Sequence, residues 1–260
     1  MTGATAVVAL VLFEWTAGLV AGASWTQSWS VVSRGHFRIM AWTAVILAAL
    51  AAVAQSALDA FTTGSTALIV AFLASTIIYL ALQYARTESP GTFAGAAVGV
   101  LGAIVLCVSA GLIQGWPQVL AAAELVAGAV LLGAVTNGML LGHWYLNQPG
   151  LKPWALARLT DLSLVAILAS GLLGVAAVTR LAGASTAGAA FSFPGFGDSF
   201  GRVFFVTWLA LVVFTGVVVL MARRCVAIRS IQSATGLYYV AILTAGVSEF
   251  LVRYLMVNAA

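Results

Sequence analysis

The sequence predicts an all-α fold: a polytopic integral membrane helix bundle of about eight transmembrane helices, filling residues 1–260 as a single transmembrane domain. Three observations predict it. Of the 260 residues 63% are hydrophobic and only 7% are charged, where a soluble domain carries about 25% charged residues. The mean hydropathy is +1.10, so no arrangement of these side chains covers the chain with a water-compatible surface. The apolar residues also fall into eight separate runs, each near the ~20 residues that a helix needs to cross hydrocarbon. The polar stretches between the runs are short and leave no room for a second, soluble domain.

The first run extends from about Thr5 to Trp25. No Lys or Arg precedes it, whereas a secretory signal has a basic start and a cleavage site of small residues, so it reads as a retained span. The second runs from about Ile39 to Ala57, and the third from about Ser65 to Tyr84, ending in the basic boundary QYAR. The fourth covers about Phe93 to Ile113, and QGWPQ separates it from the fifth, about Val119 to Gly142. The fifth closes on GHWYLNQPG, where an apolar wall meets a histidine, two aromatics, an asparagine and a proline. The sixth covers about Asp161 to Leu181, and a glycine-rich loop of low charge leads to the seventh, about Arg202 to Ala222. The eighth spans about Ile231 to Met256. All five prolines, Pro90, Pro117, Pro149, Pro153 and Pro194, read as loop residues, so no span carries the mid-helix break that carriers commonly use.

The basic residues orient the bundle. Arg34, Arg38, Arg86, Lys152, Arg158, Arg223, Arg224 and Arg229 lie in odd-numbered loops, whereas the even loops hold only Arg180 and Arg202. The positive-inside rule then puts the odd loops in the cytoplasm and both termini outside, in an inner membrane of prokaryotic type. Trp25, Trp29, Trp42, Tyr84, Trp144, Tyr145 and Trp154 gather near the same boundary, as an aromatic belt would, with Trp116 near the other. The net charge of +4 is explained by these loops, and nucleic acid is not an expected partner. Cys107 and Cys225 have neither C-x-x-C nor zinc-type spacing.

The first and fifth runs show similar spacing. EWTAGLVAGASWTQ begins at Glu14 and ELVAGAVLLGAVTN at Glu124; each carries Ala-Gly at the same offset and a Thr-amide pair twelve residues on, Thr26-Gln27 and Thr136-Asn137. Each half then reaches a Gly-His pair, Gly35-His36 and Gly142-His143, which align only with a three-residue gap. Either the chain is a four-plus-four parallel internal repeat, with halves 1–114 and 115–260, or Ala- and Gly-rich helices coincide. A true repeat predicts that Glu14 faces Glu124 in the outer half and His36 faces His143 near the inner surface. At fold level alone, with no shared motif, such an arrangement resembles quinol-handling membrane subunits built from two four-helix bundles.

Ionisable residues inside spans carry the functional signal, because a mid-bilayer charge costs about 2.5–3.5 kcal/mol on insertion scales and normally finds a partner. Glu14 and Glu124 read as a proton- or cation-binding pair or, more blandly, as hydrogen-bonded helix bridges. Glu249 and Arg253, four residues apart on one helix face, read as a structural ion pair or, as the lesser alternative, as part of a proton path. His36 and His143 read as interfacial residues or as axial ligands of one haem iron, since bis-His ligation makes an electron-transfer haem. His143, Asn137 and Tyr145 also form a candidate quinone pocket, with His143 offset from the shared face of the other two. No span holds a lysine, and no H-E-x-x-H, G-x-S-x-G or P-loop is present.

Three functions follow from this inventory. The first is a membrane subunit of a respiratory or photosynthetic electron-transfer complex, holding a quinone or a single haem b among partner subunits. The second is a proton-coupled carrier or channel. The third is a scaffold or assembly subunit without chemistry.

Overall fold

A computed structural model of the chain describes residues 3–58, 63–113, 116–148, 150–183 and 199–258. Eight α-helices make up the described fold: α1 (Ala4–Gln27), α2 (Arg34–Ser56), α3 (Thr63–Leu82), α4 (Ser89–Ala110), α5 (Gln118–Asn147), α6 (Trp154–Gly183), α7 (Ser199–Ala227) and α8 (Ile231–Asn258). All eight are long and apolar enough to cross a membrane, so the expected helical membrane bundle is what forms. The glycine-rich stretch 184–198 lies outside the described residues.

Several helices outrun their apolar cores. α2 begins at Arg34 and includes His36, α5 continues through His143 and Tyr145 to Asn147, and α6 begins at Trp154. The reason is physical: backbone groups near a lipid boundary are best satisfied within a helix, whatever the side chains do. Pro90 corrects the expectation that every proline lies in a loop. It occupies the first turn of α4, where the missing N–H has no intrahelical acceptor to lose.

The helices are apolar on every side, so hydrophobicity does not distinguish inside from outside. Large residues such as Val53, Phe93, Val165 and Leu243 are exposed, while the buried positions are rich in Ala, Gly, Ser and Thr. Close backbone approach, not exclusion of apolar surface from water, drives packing in lipid. Three buried hydroxyls are satisfied inside their own helices: Thr16 donates to the Leu12 carbonyl at 2.8 Å, Thr76 to Phe72 at 2.8 Å and Ser163 to Leu159 at 2.8 Å.

α1 is the central helix, with 78% of its apolar window buried against 28% for α7. It packs on α2, α4, α5 and α8. Its tightest crossing is with α5: a Cβ on Gly18 would fall on the Ala129 carbonyl oxygen, and one on Gly133 would fall on the Gly18 backbone. Trp15 reaches across to donate to the Thr136 hydroxyl at 2.7 Å. Around this axis, α1–α4 and α5–α8 share a pattern of neighbours: first on second, first on fourth, second on third, third on fourth.

At the face carrying the basic loops, Arg34 donates to the carbonyls of Arg86 (3.3 Å) and Thr87 (2.6 Å) and lies 3.6 Å from Glu88. Arg38 donates to the Gln83 carbonyl at 3.3 Å and stacks over Tyr84. These contacts tie the start of α2 to the α3–α4 turn. Arg223 pairs with Asp161 and ties the end of α7 to α6.

Candidate functional site

Glu249 and Arg253 lie on one face of α8, one turn apart, the acid nearer the N-terminus, which is the favourable order for such a pair. Their ion pair forms as expected, Arg253 Nη2 to Glu249 Oε2 at 2.8 Å. The structure adds two more acids to it. Arg253 Nε donates to Glu14 Oε1 on α1 at 2.6 Å, and Nη1 reaches Glu124 Oε2 on α5 at 3.3 Å. Nη2 also donates to the Glu124 backbone carbonyl at 2.7 Å, and Nη1 to Met256 Sδ at 3.0 Å. The five N–H donors of a guanidinium thus meet five acceptors from three helices.

All four side chains are completely buried. Gly128, one turn beyond Glu124, makes the approach of α8 to α5 possible, because a Cβ there would stand 2.5 Å from both Arg253 Nη2 and Glu249 Oε2. Along α1, Glu14 lies about 15 Å from the helix start, and Arg253 lies about 8 Å from the end of α8, at 1.5 Å per residue. The cluster therefore sits in the half of the bundle that carries the two termini.

The three carboxylates differ in how fully they are satisfied. Glu249 accepts from Arg253 on one oxygen and from the Ser170 hydroxyl of α6 at 2.6 Å on the other. Glu14 and Glu124 each have one oxygen on the guanidinium; Glu14 Oε2 and Glu124 Oε1 are buried and have no hydrogen-bond partner among the described residues. Three acids share one fixed positive charge, and two of them keep an open acceptor.

The histidine end is built differently. His36 is buried, its ring 5.1 Å from Phe37 and 5.7 Å from Trp144, and its Nε2 has no hydrogen-bond partner among the described residues. The Trp144 indole lies over Gly35 and so fills the side of His36 that faces α5. His143 is exposed, and its backbone carbonyl accepts from the Asn147 side chain at 3.5 Å. The two imidazoles are therefore not brought to one buried position. The candidate quinone-binding trio is also divided. Asn137 is buried at the α1–α5 crossing and donates to the carbonyls of Leu19 at 3.1 Å and Gly133 at 2.8 Å. Tyr145 donates to the Lys152 carbonyl at 2.5 Å and clamps the α5–α6 turn. Among the described residues, no group of three or more His, Cys, Asp or Glu could hold a metal ion.

Two parts of the cluster were not foreseeable as partners. Ser170 stands in an apolar run with no mark linking it to Glu249, and Met256 reads as an ordinary apolar residue. A hydroxyl within a span is the only signal that Ser170 offers. No family model, curated protein or solved structure matches the chain.

Proposed function

We propose that this protein is a proton-handling integral membrane subunit, and that the Glu14–Glu124–Glu249–Arg253 cluster is where protons bind and leave. One observation carries this: three fully buried carboxylates surround a single guanidinium. With every acid ionised, the cluster would hold an uncompensated double negative charge in the membrane interior. Each such charge costs about 2.5–3.5 kcal/mol on insertion scales, so charge balance favours protons on the surplus acids. Glu249, satisfied on both oxygens, is the ionised partner of Arg253. Glu14 and Glu124, each with an open oxygen, are the exchanging groups.

The backbone contact between Gly18 and Gly133 favours a relay or channel over a carrier in which α1 rocks against α5. In such a relay the scaffold stays closed and only protons move. The shared neighbour pattern of the two sets of four helices, and the meeting of Glu14 with Glu124, support a four-plus-four duplication as the origin of the site.

The test is proton flux into liposomes containing a trapped pH dye, driven by a potassium potential. The wild-type protein is expected to carry protons, and Glu14→Gln or Glu124→Gln, which keep side-chain shape, are expected to stop the flux. Flux equal in wild type and both variants, or none in wild type above empty liposomes, overturns the proposal. Loss of a protonated-carboxyl infrared band in the same variants would identify the groups independently.

A second reading is an electron-transfer subunit holding a quinone or one haem b, whose chemistry also consumes protons. It is favoured by the buried His36 ring with its unpartnered Nε2 at the basic end. An absorption spectrum and a quinone extraction of the purified protein test it, with His36→Ala as the informative variant. Partner subunits belong to this reading and to the scaffold alternative, in which the Glu variants would leave every readout unchanged.

A further inference from the structure

On the other side of the α1–α5 crossing, toward the basic face, a groove of about 260 Å³ opens between α1, α5 and α6. Gly18, Ala21 and Gly22 of α1 form one wall, Val130 and Ala134 of α5 the floor, and Leu162 of α6 the other wall. No charged side chain lines it. Its rim reaches the lipid-facing surface, since Trp25 is 41% and Val130 38% exposed.

Both walls lead to the same place. Four residues beyond Trp25, in the turn that follows α1, stands Trp29, its ring 4.7 Å from that of Trp25. One turn before Leu162 on α6 stands Arg158. Trp29 packs on Trp154 at 5.2 Å, and the Arg158 guanidinium lies 4.7 Å from the Trp154 ring and 5.7 Å from the Trp29 ring. Arg158 is exposed and, among the described residues, makes no ion pair. Arg34 and Arg223 on the same face each have an acid.

Length fixes the scale of the occupant. The α1 residues that line the groove, Gly18 to Trp25, rise about 10 Å, which lies within one leaflet of a ~30 Å hydrocarbon core. An uncharged slot within one leaflet, with an exposed guanidinium beyond its aromatic end, matches one kind of molecule. We infer that this groove binds an anionic phospholipid of the leaflet next to the basic loops, with an acyl chain along Gly18–Gly22 and the phosphate on Arg158. Two tryptophans hold the guanidinium by cation–π contact and leave its planar N–H edge free for phosphate oxygens. The glycines leave the α1 wall bare, and a Cβ at Gly18 or Gly22 would instead meet the Ala129 carbonyl or the Asn137 amide of the crossing behind it.

Native mass spectrometry of the full chain, titrated with phosphatidylglycerol or phosphatidylcholine of identical acyl chains, tests this. The wild type is expected to prefer phosphatidylglycerol. Arg158→Gln is expected to weaken that lipid about fivefold, the scale of one Arg at an anionic surface, and to leave phosphatidylcholine unchanged. Val130→Phe, which fills the floor, is expected to weaken both lipids. Glycerol phosphate, lacking acyl chains, is expected not to compete. Equal affinity for the two lipids in the wild type, or an unchanged preference in Arg158→Gln, overturns the inference. A thermal unfolding curve for each variant separates loss of binding from loss of fold.

Discussion

Glu14 and Glu124 stand at matching offsets in the two halves of the sequence, and so, with a short gap, do His36 and His143. The two pairs meet opposite fates. The glutamates converge from α1 and α5 on one guanidinium, and both are completely buried. The histidines part: His36 is enclosed by Phe37 and Trp144, and His143 is exposed. The difference lies in what each helix face meets. Near Glu14 and Glu124, α8 supplies a cation that both can reach, and Gly128 gives it room. Near the histidines the neighbouring residue of His143, Trp144, occupies the gap that a shared ligand would need. Equivalent spacing along a chain thus gives equivalent chemistry only where a third element completes both sites.

Substitutions can break this contrast in order of expected effect. Arg253→Met should cost most, about 3–5 kcal/mol, because it leaves buried acids without their cation. Thermal unfolding in detergent should show it as a large fall in Tm, and adding Glu249→Gln should return part of the loss. An unchanged Tm in Arg253→Met would mean that the cluster does not hold α1, α5 and α8 together. Gly18→Leu should follow, at about 1–3 kcal/mol or more, since a side chain there has nowhere to go but into the Ala129 carbonyl. Gly246→Ala, whose new Cβ meets nothing within 4 Å, should not lower Tm and serves as the control.

The smaller effects sharpen the histidine end. Asn137→Ala should cost about 1–2 kcal/mol through two lost N–H···O bonds between and within α1 and α5. His36→Ala should cost a similar amount, by opening a cavity against Trp144. His143→Ala should stay within about 0.5 kcal/mol of wild type, as exposed positions do. If His143→Ala proves as damaging as His36→Ala, the two imidazoles are equivalent after all, and the second functional reading gains.

Much of the fold was legible before any coordinates. The seventh run, about Arg202 to Ala222, is apolar on every side after its first residue, and lipid accommodates such a helix. The ends of α2, α5 and α6 were less legible, because hydropathy marks where hydrocarbon stops and not where backbone hydrogen bonding stops. Within the site, the Glu249–Arg253 pair followed from its four-residue spacing, whereas the matched offsets of Glu14 and Glu124 led them together only on the supposition of a repeat. That both acids would share Arg253, 239 and 129 residues away along the chain, followed from neither. Asn137 and Tyr145 had the polarity of a ligand pocket, but their partners turned out to be backbone carbonyls of the protein itself. Polarity states that a group needs a partner; it does not state which one.

By itself the sequence determined that this chain lives in a bilayer as eight helices, that its basic residues gather on one face, and that its few buried charges must be compensated. Those are consequences of solvation, and solvation acts on each segment separately. Only the tertiary structure decided that three acids converge on one guanidinium, that one histidine is enclosed while the other faces outward, and that an uncharged groove opens between α1, α5 and α6. Each of these depends on which helices touch and at what rotation, and in an apolar bundle that choice is made by small residues and backbone proximity, which leave almost no trace in hydropathy.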